Sequence, residues 1–113
     1  MFAKENRLTK DKEFDAVFKK GRSSYDKILG VKALKNDLSL NRFGILISVK
    51  VSKKAVERNK LKRQIREILK NIQINSKDFF DIVVISLPSS LGKEFKDLEN
   101  SIKFNFKKLK LIK

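Results

Sequence analysis

Residues 50–67 read Lys50-Val51-Ser52-Lys53-Lys54-Ala55-Val56-Glu57-Arg58-Asn59-Lys60-Leu61-Lys62-Arg63-Gln64-Ile65-Arg66-Glu67. From 55 to 72 the chain has no Gly or Pro, and Leu61, Ile65, Ile68, Leu69 and Ile72 fall at the i, i+4, i+7, i+8, i+11 spacing of an amphipathic helix. Such a stripe must be buried. On either side lie apolar runs rich in β-branched residues, 42–49 before it and 81–87 after it, each reading as a well-covered strand. A strand, a helix and a strand in succession predict a mixed sheet with helices packed on it.

Working outward, Thr9 is placed to cap a first helix that carries Asp11 and Glu13 in its opening turn and stops at Gly21. Its apolar stripe is Phe14, Val17 and Phe18. Residues 28–34 alternate partially, as a strand, and the polar segment 36–41 joins them to 42–49 as a hairpin-like loop. Pro88 ends the strand at 81–87. Ser89 or Ser90 then opens a last helix with Leu91, Phe95, Leu98, Ile102, Phe106 and Leu109 on one stripe. The order is α-β-β-α-β-α, with a further short strand at 22–25. Four Gly, one Pro and no repeat or linker leave residues 1–113 as a single domain.

The composition narrows the chemistry. In 113 residues there are 28 Lys and Arg against 13 Asp and Glu, a formal charge of +15. The 41% hydrophobic content, nine Phe included, is enough for one modest core, so the charge decorates a fold instead of replacing it. Without Cys or His there is no disulfide, no Cys/His zinc site, no thiol nucleophile and no imidazole base. No apolar run reaches the roughly 18 residues of a membrane span, and Met1-Phe2-Ala3-Lys4-Glu5-Asn6-Arg7 lacks the apolar stretch of a signal peptide. The expected compartment is the cytoplasm. So large a positive excess repels itself unless a polyanion neutralises it, and nucleic acid is the leading partner.

Residues 50–70 concentrate that charge: nine basic and two acidic side chains give a local balance of +7. At about 100° per residue, Arg58, Lys62, Arg66 and Lys70 form one row, with Asn59 and Arg63 beside it and Lys50, Lys53 and Lys54 on the approach. The strip lies about a third of a turn from the apolar stripe, so one side of the helix packs while the other meets a partner. Guanidinium forks hold phosphate bidentately or stack on bases, whereas Lys acts as a point charge. The bland alternative is a solvated face with Glu57 and Glu67 as counter-ions. Stacking like charges at i, i+4 costs a few tenths of a kcal/mol per pair, and a polyanion turns that cost into affinity.

The same run resembles the signature of the bacterial ribonuclease P protein component, roughly K-x-x-G-x-A-V-x-R-N-x-x-K-R-x-x-R-E. Lys50, Ala55, Val56, Arg58, Asn59, Lys62, Arg63, Arg66 and Glu67 fall on its positions; Lys53 stands where the family usually has Gly. Upstream, Asn6-Arg7-Leu8, Phe14, Val17-Phe18, Lys20-Gly21 and Ser23 are similar to the family's opening, and Phe80-Asp81-Ile82-Val83-Val84-Ile85 to its last strand. The resemblance covers most of the chain. It implies an α+β fold: an α/β sandwich of order αβββαβα, like a domain of ribosomal proteins, with a left-handed βαβ crossover through the basic helix. It further implies a protein subunit that binds a catalytic RNA and the 5′ leader of precursor tRNA, with magnesium ions held mainly by the RNA driving hydrolysis. No catalytic residue is then expected in the protein. RNA contacts are expected at Lys50, Lys53, Lys54, Arg58, Asn59, Lys62, Arg63, Arg66 and Lys70.

The resemblance also implies that Phe14, Phe18 and Lys32 line a cleft that takes single-stranded leader, since unpaired bases stack on aromatic faces. Spacing alone fits Phe14 and Phe18 as ordinary core. Further cleft aromatics of the first long strand are replaced by Leu29 and Lys32, with Tyr25 a possible compensation. Phe79, Phe80 and Phe95 read as core, Phe104 falls opposite the last helix's stripe, and Asp78 and Asp81 read as turn caps at the mouth of a strand. Two other functions compete: a structural ribosomal RNA binder of the same size and charge, and a duplex-DNA regulator. The second suffers because the basic helix belongs to a β-containing core and not to a helix-turn-helix.

Overall fold

The computed structural model describes residues 4–113; Met1, Phe2 and Ala3, part of the reading of the chain's start, lie outside them. In chain order the elements are α1 (Asp11–Lys20), β1 (Arg22–Tyr25), β2 (Leu29–Lys35), β3 (Arg42–Leu46), α2 (Ala55–Asn71), β4 (Phe80–Ser86) and α3 (Phe95–Lys108), with single 3-10 turns at Lys4–Asn6 and Pro88–Ser90. This is the αβββαβα order of an α+β fold.

The four strands form one sheet in the order β1-β2-β4-β3. β1 pairs with β2 and β2 with β4 antiparallel, while β3 runs parallel to β4. The expected hairpin between residues 28–34 and 42–49 does not form, because β4 lies between those strands. Its run Ile82-Val83-Val84 is wholly buried, and a strand covered on both faces belongs at the centre. The hairpin is instead β1–β2, where the Asp26 carboxylate accepts the N–H groups of Ile28 and Leu29 at 2.8 and 2.9 Å.

Alternation sorts the sheet into two faces. Leu29, Val31, Ala33, Ile82 and Val84 point to one side and meet Leu61, Ile65, Ile68 and Leu69 of α2 and Leu98, Ile102 and Phe106 of α3. That is the main core. On the opposite face Val83, with Leu34, Leu46 and Ile85, packs against Leu8 and against Phe14 and Val17 of α1. The basic helix and the first helix therefore sit on opposite sides of one sheet.

Several local expectations are corrected. Lys10, not Thr9, precedes α1 as its cap residue, and the backbone N–H groups of Thr9 and Lys10 both donate to Glu13 (3.2 and 3.0 Å), whose carboxylate does the capping from inside the helix. The last helix opens at Phe95, with Glu94 as its cap residue and not Ser89 or Ser90, because Gly92 at φ +81° breaks the chain direction after the turn at Pro88. Leu91 is thereby left outside the helix. Phe80 is buried as expected, but Phe79 just ahead of β4 and Phe95 at the first residue of α3 are about 40% exposed. Asp81 is no turn cap: it lies within β4, buried, and holds Arg42 and Asn36.

Candidate nucleic-acid interface

The strip is built by α2. Its back is fixed by four fully covered side chains, Leu61, Ile65, Ile68 and Leu69, so the orientation of everything on its front is set by the core. Asn59, Lys62, Arg63 and Lys70 are exposed and Arg66 is half-buried. Among the described residues none of these cations is ion-paired. Of the two acids on the helix, Glu57 accepts the Ser52 hydroxyl at 2.5 Å, while Asn71 Nδ2 donates to the Glu67 backbone carbonyl at 3.0 Å and to its carboxylate only at 3.5 Å; neither carboxylate is ion-paired among the described residues. Neither neutralises the strip. Asn59, Lys62, Arg63 and Arg66 together rim a recess of about 320 Å³.

Arg58 differs from its row-mates. Its Nη1 donates to the carbonyl of Ser52 at 2.8 Å, and the side chain is half-buried. It ties the helix to the loop before it. In that loop Val51 is buried, Ser52 Oγ accepts the N–H of Lys54 at 3.1 Å, and Lys50, Lys53 and Lys54 are exposed. Lys53, at the usual glycine position, has no positive φ; among the described residues Lys110 is the one non-glycine that does. The turn into the helix therefore needs no glycine there. Val56 is 78% exposed, so its side chain serves no core.

On the other face of the sheet, Phe18, Lys32 and Tyr25 share a surface. Lys32 pairs across the ladder with Ser23 and with Val83, and its Nζ lies 5.5 Å from the centroid of the Phe18 ring. Phe18 is 38% exposed and Tyr25 46%, whereas Phe14 is half-buried against Leu8 and the sheet. Two glycines make room. A Cβ at Gly44 would come within 2.5 Å of the Phe14 ring, and one at Gly30 would collide with the Tyr25 ring, so both aromatics lie directly on bare backbone. Leu29 is not part of this surface; it is fully buried on the α2 and α3 side, one pleat out of phase with Lys32.

Arg7, passed over as a site by sequence reasoning, joins the two surfaces. It lies in a cavity of about 200 Å³ that wraps the border of β3, with Phe14 on one side and Lys62 and Arg66 on the other. Its Nε is shielded from solvent and has no hydrogen-bond partner among the described residues. The segment is held by a parallel bridge from Arg7 to Phe43 and by the Leu8 N–H donating to the Phe43 carbonyl at 2.9 Å. Outside any helix, Arg7 has no periodic signal to mark it. Aromatics, Arg7 and the strip thus form one track from face to face.

Among the described residues no three acidic, His or Cys groups gather, and Glu13 and Asp81 are both held by Arg42 at 2.6 and 2.7 Å.

The ribonuclease P family model matches residues 2–110. A ribonuclease P protein component of Clostridium botulinum is 40% identical over 100 residues, covering 88% of this chain and 89% of the relative. That of Clostridioides difficile is 41% identical over 103 residues, covering 90% of each. Among solved structures, the RNase P protein of Staphylococcus aureus superposes with a TM-score of 0.85 at 31% identity, over 96% of this chain and 98% of the other. The RNase P protein of Thermotoga maritima gives 0.75 at 32% identity, over 95% and 97%.

Proposed function

This chain belongs to the ribonuclease P protein family, and from that premise we propose that it is the protein subunit of a ribonucleoprotein endonuclease working in the cytoplasm on precursor tRNA. In this reading α2 and its approach grip the catalytic RNA through Lys50, Lys53, Lys54, Asn59, Lys62, Arg63, Arg66 and Lys70, with Arg58 bracing the loop. Phe14, Phe18 and Lys32, with Tyr25 beside them, take the single-stranded 5′ leader. The protein orients RNA; it donates no proton and supplies no nucleophile.

One observation carries the reading: cations without partners on α2 continue, through Arg7, into an aromatic surface on the far side of the sheet. Phosphates of a folded RNA suit the first part, since each neutralised phosphate releases a condensed counter-ion. Splayed bases suit the second. We assign magnesium to the RNA, because the chain's own carboxylates do not fit such an ion: they are scattered or already paired with Arg42. The products would be a free leader and a tRNA with a mature 5′-phosphate.

The decisive experiment is reconstitution. The purified chain, added to a bacterial ribonuclease P RNA, should restore cleavage of a precursor tRNA at magnesium concentrations where the RNA alone is inactive. A structural ribosomal protein of equal charge should not, and failure of the chain to do so would remove the proposal.

A further inference from the structure

We infer that the end of α3 carries a second contact for single-stranded RNA, a stacking platform at Phe104 beside a basic recess. The inference rests on the RNA-binding reading above and adds a surface to it.

Between the end of α2 and the last turns of α3 lies an open recess of about 440 Å³. It is lined by the half-buried pair Ile72 and Ile112, by amide side chains at 71, 73 and 75 and by Lys103, Lys107 and Lys113, with no Asp or Glu side chain among them. Around a helix at about 100° per residue, Lys107 lies between Lys103 and Phe104, so the ring is on the α3 row next to the lysines of the recess, outside its lining. Phe104 is 48% exposed, with Lys108 Nζ 5.6 Å from its centroid. Residues 100–113 hold five Lys and no acid. Glu99, one turn before Lys103, is shared between Lys96 and Lys103.

A lone exposed Phe is common on protein surfaces and needs no account. Here an exposed ring with a lysine over it lies on the row of α3 next to a recess of amides and lysines, and one class of partner uses all three. A base stacks on the ring, phosphates meet the lysines, and amides reach base edges. An acidic peptide would use the lysines and leave the rest idle. The patch is no extension of the α2 strip: Lys62 and Arg66 turn toward β3 and Arg7, whereas Asn71 flanks α3.

The test uses the full chain with an unstructured RNA roughly ten nucleotides long, within the span such platforms cover, carrying 5-iodouridine for photo-crosslinking. Binding is read by anisotropy and the adducts are mapped by mass spectrometry. The expected result is an adduct on Phe104 that falls about tenfold when Lys103, Lys107 and Lys108 are all replaced by Ala. It should persist in an Arg63→Ala, Arg66→Ala double variant. Phe104 is exposed, so Phe104→Leu keeps the fold while abolishing the adduct. If the probe binds and every adduct falls elsewhere, the platform is refuted and the RNA-binding reading stands. If the chain does not bind the probe at all, both fall.

Discussion

Arg42 holds Asp81 across the parallel β3–β4 ladder with two hydrogen bonds, Nε to Oδ1 at 2.8 Å and Nη2 to Oδ2 at 2.7 Å. The third nitrogen of the same guanidinium, Nη1, reaches Glu13 of α1 at 2.6 Å, and Asn36 adds a bond to Asp81 at 2.9 Å. One side chain therefore fastens the first helix and two strands at the rim of the aromatic surface. The hydrogen bonds and charge of Asp81 push the Arg42 pKa above its ordinary value, strengthening a charge that a guanidinium keeps anyway. Arg42→Ala leaves a buried carboxylate without its charged partner, held by Asn36 alone, and should cost about 3 kcal/mol, read as a lower urea midpoint at unchanged slope. A loss below about 1 kcal/mol would show the network to be ornamental.

Acid should loosen the same corner. Burial works to raise the Glu13 carboxyl, but the N–H groups of Lys10 and Thr9 and the Arg42 charge outweigh it, and the net shift is downward from 4.5. A folded value below the unfolded one contributes stability that is present above the unfolded pKa and lost as pH falls through the folded one. Wild type should therefore exceed Glu13→Gln in stability near neutrality and converge with it as pH falls below the ordinary carboxylate range. Parallel stability curves over that range would contradict the assignment.

On α2, Arg63→Ala and Arg66→Ala should each weaken assembly with the catalytic RNA and lower the slope of log K against log salt by about one unit. Filter binding at several salt concentrations measures it. Unchanged slopes in both variants would move the RNA face off the helix.

Phe18→Ala should reduce affinity for precursor tRNA about tenfold and leave mature tRNA unaffected, as loss of one stacked base predicts. Tyr25→Ala should act in the same direction, because its ring lies over Gly30 on the surface that holds Lys32. Both side chains are well exposed, so melting temperatures should barely move. Equal loss for precursor and mature tRNA, or unfolding of Phe18→Ala, would return Phe18 to the core.

The α2 stripe is legible in sequence because burial of Leu61, Ile65, Ile68 and Leu69 follows a single period, and the strands because β-branched residues cluster in them. Pairing is less so. Nothing local in residues 36–41 says that β4, about forty residues on, will come between β2 and β3; that choice belongs to the whole core. The residue pattern marks the cationic strip without help from tertiary structure, since cations spaced four apart on one helix stay together. The aromatic surface is harder, as Leu29 and Lys32 are told apart only by which face the register gives them. Arg42 lies in an apolar run with no sign of its buried acid and needed the assembled chain to be found; Arg7 belongs to no periodic element, and only the family-like opening Asn6-Arg7-Leu8 pointed to it.

β3 borders the sheet, and a bordering strand offers bare amides and carbonyls to any passing extended peptide. Here the stretch holding Arg7 and Leu8 lies along that border and takes up the Phe43 carbonyl. Its removal by a protease would do more than delete a cation. It would open a template for strand-by-strand polymerisation, which makes those few residues a guard on solubility as well as a bridge between two surfaces.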